Sequence, residues 1–169
     1  MPHIHCVQSA ADIARVAALA HEIWHEHYTP IIGPAQVEYM VPKFQSREAI
    51  AAQIGTGARY DLVYEKGQAV GYIGVVPDTA AGELFLSKIY IRRDRRGCGL
   101  GRFALDHVES VCRELGTPYI WLTVNKNNHA SIRAYEKMGF SHRREICQDI
   151  GHGFVMDDYL LDKTLPSAP

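Results

Sequence analysis

The spacing of apolar positions changes along the chain and predicts which segments form strands and which form helices. Residues 4–7 have the pattern of a short strand. Ser9 and Asp12 follow with the three-residue spacing of a capping box at the start of a helix. One face of this helix carries five apolar residues: Ile13, Val16, Ala20, Ile23 and Trp24. We therefore expect a strand and then an amphipathic helix.

Two more helices are predicted before the period changes. Gly33-Pro34 is expected to begin the second helix, and Pro42 is expected to end it because a proline has no backbone N–H to donate. Ser46 is predicted to cap a third helix that runs to residue 54.

From residue 60 onward the apolar positions favour strands, which later alternate with helices. The predicted elements are strands at 60–65, 69–76 and 83–91, a helix at 101–115, a strand at 119–124, a helix at 128–138 and a hairpin at 140–163 that turns at 150–153. This order predicts an α/β chain in which one mixed sheet has helices on both faces.

Length and composition predict one globular domain. The chain has 169 residues, of which 47% are hydrophobic and 22% are charged. We expect the domain to cover residues 1–165 and a short C-terminal tail to cover 166–169. No apolar run has membrane-spanning length and the start does not resemble a secretory signal, so we expect a cytoplasmic location. The four cysteines are scattered, without the spacing of a zinc site, and are expected to be reduced thiols.

A glycine-spaced turn after the strand at 83–91 predicts an anion site. It reads Arg96-Gly97-Cys98-Gly99-Leu100-Gly101-Arg102 and leads into a helix. Glycines let the backbone N–H groups approach an anion, and the N-terminus of the helix attracts negative charge. Arginines at 92, 93, 95, 96 and 102 outnumber Asp94 here, although the whole chain has a net charge of -1. A local positive charge favours a small polyanion over nucleic acid.

Two common nucleotide motifs do not match this turn. A dinucleotide-binding turn needs G-x-G-x-x-G, but Arg102 stands where the third glycine belongs, and the strand at 119–124 has no acidic residue for a ribose. The G-x-x-x-x-G-K-[ST] motif of a P-loop is absent from the sequence. The turn does match R-x-x-G-x-G.

A second block, at residues 124–140, has the pattern N-x-x-[AS]-x-x-x-Y-E-K-x-G-F. With the glycine turn, and in this order, it resembles the GCN5-related N-acetyltransferases, the GNAT superfamily. The resemblance implies the GNAT fold, with a mostly antiparallel central sheet and two splayed parallel strands. It also implies an N-acetyltransferase that uses acetyl-CoA.

The resemblance also implies roles for individual residues. Backbone groups of Ile89, Tyr90 and Ile91 would pair with the pantetheine arm, and residues 96–102 would hold the pyrophosphate. The N–H of Ile89 would stabilise the oxyanion. Tyr135 would be the acid that protonates the leaving thiolate, although a tyrosine on a helix also suits a core position. Further cofactor contacts would come from Asn128, Ser131 and Lys137.

Neither the general base nor the acceptor pocket is settled by these motifs. Glu83, Asp61, His107 and a water chain all stay open as the base. Four residues of the N-terminal helices are candidates for the acceptor pocket or for the core: Trp24, Tyr28, Tyr39 and Met40.

A cluster of three histidines raises the alternative of a metal site. His21 and His25 share a helix face, but His27 lies off that face and no H-E-x-x-H motif is present. We therefore predict no metal.

Shorter motifs suggest the acceptor. Residues 23–28, 38–40, 88–91 and 149–159 together resemble the bacterial PaiA-type spermidine/spermine acetyltransferases. This resemblance implies a small-molecule amine acceptor such as a polyamine. A protein N-terminus, a lysine or an aminoglycoside stays open as the acceptor, as does a non-catalytic acyl-CoA-binding module. We expect no nucleic-acid or membrane partner, and a homodimer is left open.

Overall fold

A computed structural model describes residues 1–167, in which five helices and seven strands are found. The elements are β1 (His3–Cys6), α1 (Ala10–Ile32), α2 (Pro34–Gln45), α3 (Arg47–Gly55), β2 (Arg59–Glu65), β3 (Gln68–Asp78), β4 (Glu83–Ile91), α4 (Leu100–Leu115), β5 (Tyr119–Asn125), α5 (His129–Lys137), β6 (Ser141–Gly151) and β7 (Phe154–Thr164). The strands form one sheet in the order β1-β2-β3-β4-β5-β7-β6. The predicted mixed α/β architecture is confirmed. Residues 168 and 169 of the predicted tail lie outside the described residues.

The chain divides into two compact units. The first contains Met1–Val76 and Lys88–Val108, and the second contains Pro77–Ser87 and the chain from Glu109 onward. Both β4 and α4 contribute residues to each unit. No helix in the described part of the chain is long and apolar enough to cross a membrane.

The predicted capping box starts α1. The Ser9 hydroxyl accepts a hydrogen bond from the Asp12 N–H at 3.1 Å, and the Asp12 carboxylate accepts from the Ser9 N–H at 3.1 Å. Hydrogen bonds from Ser9 and Gln8 hold the pKa of Asp12 well below its ordinary value. On the predicted apolar face, Val16 and Ile23 are fully buried. The N-terminal pattern therefore predicts this helix correctly.

The prediction that Pro42 ends the second helix is wrong. The helix α2 continues through Pro42 to Gln45. A proline removes only its own N–H from the helix ladder, and the residues on either side of Pro42 gain from burial. Val41 is buried, and the buried Gln45 side chain accepts a hydrogen bond from the Tyr72 hydroxyl at 2.9 Å. Tertiary packing therefore outweighs the local signal.

In the first unit, β1, β2 and β3 are consecutive antiparallel neighbours. Gly71 on β3 allows close approach to β4, because a Cβ at this position would overlap the Tyr90 carbonyl oxygen and the Ile91 side chain. The Arg92 N–H donates to the Val70 carbonyl oxygen at 2.9 Å just beyond the end of β4.

In the second unit, the first half of β4 pairs in parallel with β5, with Glu83 opposite Tyr119 and Phe85 opposite Trp121. The predicted C-terminal hairpin is present as β6 and β7, and β7 also pairs with β5. Lys163 on β7 donates to the Glu109 carboxylate at 2.7 Å and to the Met138 carbonyl oxygen at 2.8 Å. These bonds attach the second half of α4 and the end of α5 to the sheet.

Candidate active site

The glycine turn has the backbone that an anion cradle requires. Gly97 and Gly99 have φ values of 76° and 82°, a region that favours glycine. No atom lies within 4 Å of the place where a Cβ would stand at Gly97, Gly99 or Gly101. Cys98 is exposed, while the buried Leu100 anchors the start of the 16-residue helix α4. The turn is therefore open on its outer side, next to a helix N-terminus.

The arginines around the turn are less available than the sequence suggests. Four of the five lie within ion-pair distance of a carboxylate: Arg92 with Glu22 (3.2 Å), Arg93 with Glu26 (3.5 Å), Arg95 with Glu65 (3.5 Å) and Arg102 with Asp106 (2.6 Å). Three of these carboxylates come from distant positions in the sequence. The uncompensated positive charge around the turn is therefore smaller than the sequence predicts.

Arg96 is the exception among the five. Its Nε donates to the Ile91 carbonyl oxygen at 2.9 Å, and its guanidinium lies 3.4 Å from Nδ1 of His27. Within residues 1–167 it has no carboxylate at ion-pair distance. The side chain is thus held against the end of β4 with its charge uncompensated.

The backbone of β4 points in the direction that the predicted pantetheine contact needs. The Tyr90 carbonyl oxygen faces β3 beside Gly71, and the Arg92 N–H also bonds to β3. Hydrogen-bonding groups alternate between the two edges of an antiparallel strand. The N–H groups of Ile89 and Ile91 therefore point to the opposite edge, away from β3.

A buried lysine next to Ile89 is a feature that the sequence analysis missed. The Nζ of Lys88 donates to the Tyr60 hydroxyl at 2.7 Å, and the Tyr60 hydroxyl in turn donates to the Gln53 side chain. Burial lowers the pKa of Lys88 to about 7 and raises that of Tyr60 above its ordinary value. A lysine between the apolar Leu86 and Tyr90, at alternating positions of a strand, is the sequence signal that could have indicated it.

Two of the four predicted acceptor residues form an aromatic cluster. The rings of Trp24 and Tyr28 lie 4.6 Å apart between centroids, and the hydroxyl of Tyr28 lies 2.9 Å from that of Tyr90. Tyr39 and Met40, on α2, have other neighbours. The Tyr39 hydroxyl accepts from Lys43, and Met40 is buried. The structure thus groups Trp24 and Tyr28 with Tyr90. Trp24 and Met40 are both buried, which favours a core role for each of them.

The predicted residues of α5 lie in the second unit. Asn128 is buried and caps the helix, because its side-chain oxygen accepts from the Ser131 N–H at 3.4 Å. Tyr135 is partly exposed and packs edge-on against Phe140, with 5.4 Å between ring centroids. Lys137 is exposed in the last turn.

Two of the candidate bases bind each other. Nε2 of His107 lies 3.1 Å from the Asp61 carboxylate, which also lies 3.2 Å from the Arg59 guanidinium. Asp61 is buried, whereas Glu83 is partly exposed at the start of β4. Asp61 is therefore held between Arg59 and His107.

The histidines of α1 contact protein groups. Nδ1 of His25 lies 2.7 Å from the His21 carbonyl oxygen, and Nε2 lies 2.7 Å from the Glu38 carboxylate. These two contacts raise the pKa of His25, and that with the His21 carbonyl has the larger effect. Among the described residues no group of three candidate ligands could hold a metal ion.

Known proteins resemble the chain in sequence and in fold. It is 32% identical to streptothricin acetyltransferase from Streptomyces lavendulae over 75 residues, which are 44% of this chain and 40% of that protein. It is 33% identical to the peptidyl-lysine N-acetyltransferase YjaB of Escherichia coli over 96 residues, 56% of this chain and 57% of the relative. The chain thus spans about half the length of these two curated relatives.

A crystal structure of the PaiA N-acetyltransferase from Thermoplasma acidophilum, in complex with coenzyme A, has the same fold. Its TM-score is 0.79 at 18% identity, over 97% of this chain and 99% of that chain. The acetyltransferase (GNAT) family model matches residues 17–140, which are most of the chain. The chain therefore belongs to the acetyltransferase (GNAT) family, and the predicted fold, N-acetyltransferase class and acetyl-CoA cofactor are confirmed.

Proposed function

We propose that the chain acetylates a primary amine of a polyamine such as spermidine or spermine. The open glycine turn is the observation that carries the cofactor half of the proposal, because a Cβ at Gly99 would stand where the phosphates of acetyl-CoA must approach. We assign the pyrophosphate to the backbone N–H groups of residues 97–102, with Arg96 beside them as an uncompensated cation.

The acceptor half rests on helix α1. Glu22 and Glu26 are four residues apart and, with Arg92, Arg93 and Asp94, line an open cavity of about 540 Å³. Trp24 and Tyr28 lie on the same helix. A polyamine combines ammonium groups, which carboxylates and aromatic rings attract, with alkyl segments that pack on rings. The ion pairs of Glu22 and Glu26 are exposed and therefore weak, so an ammonium group could replace an arginine as their partner.

The proposed reaction assigns one role to each group. Acetyl-CoA supplies the thioester whose carbonyl carbon the amine attacks. The N–H of Ile89 donates to the oxygen that becomes negative as the amine attacks. The hydroxyl of Tyr135 donates its proton to the departing sulfur, because a phenol stays protonated near neutral pH and is a suitable acid for a thiolate.

A second candidate acceptor is a lysine side chain of a protein. The observation that favours it is the similarity to the peptidyl-lysine N-acetyltransferase of Escherichia coli. Lysine and spermidine both present an alkylammonium group, but a lysine side chain carries no further positive charge along its own length. Added salt should therefore raise the KM for spermidine more than the KM for a lysine side chain.

An acceptor panel tests the proposal. Release of coenzyme A from acetyl-CoA is measured with spermidine, spermine, a lysine-containing peptide, an aminoglycoside and a neutral-tailed monoamine of spermidine's length. We expect spermidine to have the highest kcat/KM, and its KM to rise with salt as the ion pairs are screened. Equal kcat/KM for spermidine and the monoamine, without salt dependence, would contradict a polyamine acceptor. No turnover of any amine would contradict the proposed activity.

A further inference from the structure

Asp158 on β7 is a buried carboxylate that none of the roles above uses. It lies opposite Asn125 on β5 and opposite Ile146 on β6, and it is 6% exposed. Asn125 ends β5, and its carbonyl oxygen accepts from the N–H of Asn128, the residue that caps α5. Asp158 therefore lies at the carboxyl end of β5, where the helix that carries Tyr135 begins.

Two aspartates on the same strand show how Asp158 differs. Asp162, four residues on, is also buried, but its carboxylate accepts two hydrogen bonds from Arg143, at 2.7 and 3.0 Å, and one from Tyr119. Asp157 is exposed and lies 2.8 Å from the Nζ of Lys126. Asp158 has no cation at ion-pair distance within residues 1–167. It is thus a buried acid without the partner that stabilises Asp162.

The surroundings make this carboxyl group a good proton acceptor near neutral pH. Burial raises the pKa of Asp158 to about 6, the nearby charge of Asp157 adds to the rise, and the Thr123 side chain and Lys126 oppose it. From β6, Glu145 binds Lys126 at 2.8 Å and so weakens the effect of that lysine. A general base works best when its pKa lies near the operating pH.

We propose that Asp158 is the general base of the reaction and accepts the proton that the amine loses. This inference rests on the proposed function. As the amine nitrogen attacks the thioester, an N–C bond forms and an N–H bond breaks. The proton moves to a carboxylate oxygen of Asp158, and the C–S electron pair leaves on sulfur, which receives the proton of Tyr135. Afterwards Asp158 releases its proton to solvent and Tyr135 takes one proton back from solvent, so both residues return to their starting forms.

The test compares Asp158→Asn with the wild-type enzyme, using acetyl-CoA and the amine of the panel that wild type acetylates best. The wild-type kcat should rise with pH along a limb centred near 6 and then level off. Asp158→Asn should lose this limb and about 10²-fold or more in kcat near pH 7, with little change in the KM for acetyl-CoA. The remaining kcat of Asp158→Asn should increase as the pH rises toward the pKa of the amine. At high pH, hydroxide can accept the proton or the amine is already neutral, so the base is no longer needed.

Two neighbouring substitutions serve as controls. Asp157→Asn removes an exposed carboxylate at the adjacent position and should leave kcat within about twofold of wild type. The limb of this variant should not move to higher pH than in wild type. Thr123→Val keeps the shape of the side chain but removes the hydroxyl that favours the charged carboxylate, so the limb should move to higher pH. A structural role for Asp158 would not produce this shift.

Thermal stability gives a readout that does not depend on catalysis. Ionising Asp158 in the folded protein is unfavourable, so Asp158→Asn should melt at a higher temperature than wild type at pH 7.5, and this gain should shrink toward pH 4. A carboxylate needed for packing, such as Asp162, would show the opposite change.

Each outcome bears on one proposal. A wild type that acetylates no amine contradicts the proposed function. An active wild type whose Asp158→Asn variant keeps its kcat and its limb, or changes only in KM for the amine, overturns the assignment of Asp158 as the base. If Asp158→Asn fails to fold, the pH dependence of kcat for Thr123→Val is the deciding measurement. A limb at higher pH than in wild type supports the assignment of Asp158, and a limb at the wild-type pH overturns it.

Discussion

At the scale of single residues, the structure separates groups that share a residue type but have different surroundings. Lys88 and the exposed Lys66 differ in burial, and Asp158 and Asp162 differ in their cation partners. Such differences determine pKa values, and they arise from neighbours that are distant in sequence. The sequence shows the residue types, but it does not show which members of a type are desolvated.

Tyr135 is expected to act through its hydroxyl. Tyr135→Phe keeps the ring that packs on Phe140 and removes the proton donor, so kcat should fall about 10²-fold or more while the affinity for acetyl-CoA changes little. Steady-state kinetics and calorimetric titration with acetyl-CoA measure the two effects. A variant with wild-type turnover would show that Tyr135 has a packing role only, and unchanged thermal unfolding is the control for an intact fold.

Lys88 is expected to make the stability of the protein depend on pH. Its pKa is about 7 in the folded state and near 10.5 when unfolded, so between these values the unfolded chain binds more protons and stability rises with pH. Below pH 7 Lys88 is charged in both the folded and the unfolded state. Burying this charge then lowers the free energy of unfolding by at most about 1.4 kcal/mol for each unit of pKa difference.

Lys88→Met removes this contribution while keeping the side-chain length. Urea unfolding at pH 6.5, 8 and 9.5 should show wild type gaining stability relative to the variant as the pH rises. The exposed Lys66, changed to Met, is the matched control and should track wild type. Parallel curves for wild type and Lys88→Met would show that the Lys88 ammonium is not destabilised by burial.

At the scale of elements, the glycine turn can be tested against a turn of the same geometry. Gly99 and Gly67 have φ values of 82° and 76°, and neither would meet an atom within 4 Å through a Cβ. Valine in this region of φ costs about 1–2 kcal/mol or more, so Gly99→Val and Gly67→Val should lose similar stability.

Only Gly99→Val should lose affinity for coenzyme A, by about tenfold or more, which is about 1.4 kcal/mol. The β-branched side chain would obstruct the N–H groups that we assign to the phosphates, whereas Gly67 lies in the turn between β2 and β3. Calorimetric titration with coenzyme A compares the two variants. Equal affinities would contradict the assignment of this turn to the cofactor.

Local patterns predict most elements and fail where tertiary contacts decide. The bounds of β4 match the prediction, and those of α4 and β5 differ from it by one residue. The early end assigned to α2 at Pro42 is wrong because the last residue of the helix, Gln45, bonds to Tyr72, which lies on β3 and is distant in sequence. Local patterns likewise do not predict the ion pairs of Arg92 with Glu22 and of Arg95 with Glu65, because the two residues of each pair are far apart in sequence.

At the scale of the whole molecule, family and cofactor could be predicted because contiguous motifs carry them. The glycine turn and residues 124–140 each contain their signal within one segment. The general base that we propose could not be predicted from the sequence. The environment of Asp158 depends on the register of β7 against β5, where Asp158 lies opposite Asn125, and on the position of Lys126. Side chains from separate segments produce that environment.

The prediction of one domain over residues 1–165 can be tested with the two tryptophans of the chain. Trp24 belongs to the first compact unit and Trp121 to the second. Trp24→Phe and Trp121→Phe each leave one fluorescent probe, and the control for both is far-ultraviolet circular dichroism of the same samples. If the chain is one cooperative domain, fluorescence and circular dichroism should give the same urea midpoint within each variant.

Coenzyme A makes this test sharper, because ligand binding to the folded state stabilises everything that unfolds with the site. At 100 times its dissociation constant it should add about 2.7 kcal/mol to the free energy of unfolding. The midpoints from Trp24 and from Trp121 should then rise together, whereas NAD at the same concentration should move neither. A rise confined to one tryptophan would show that the two units unfold independently, and the prediction of a single domain would be wrong.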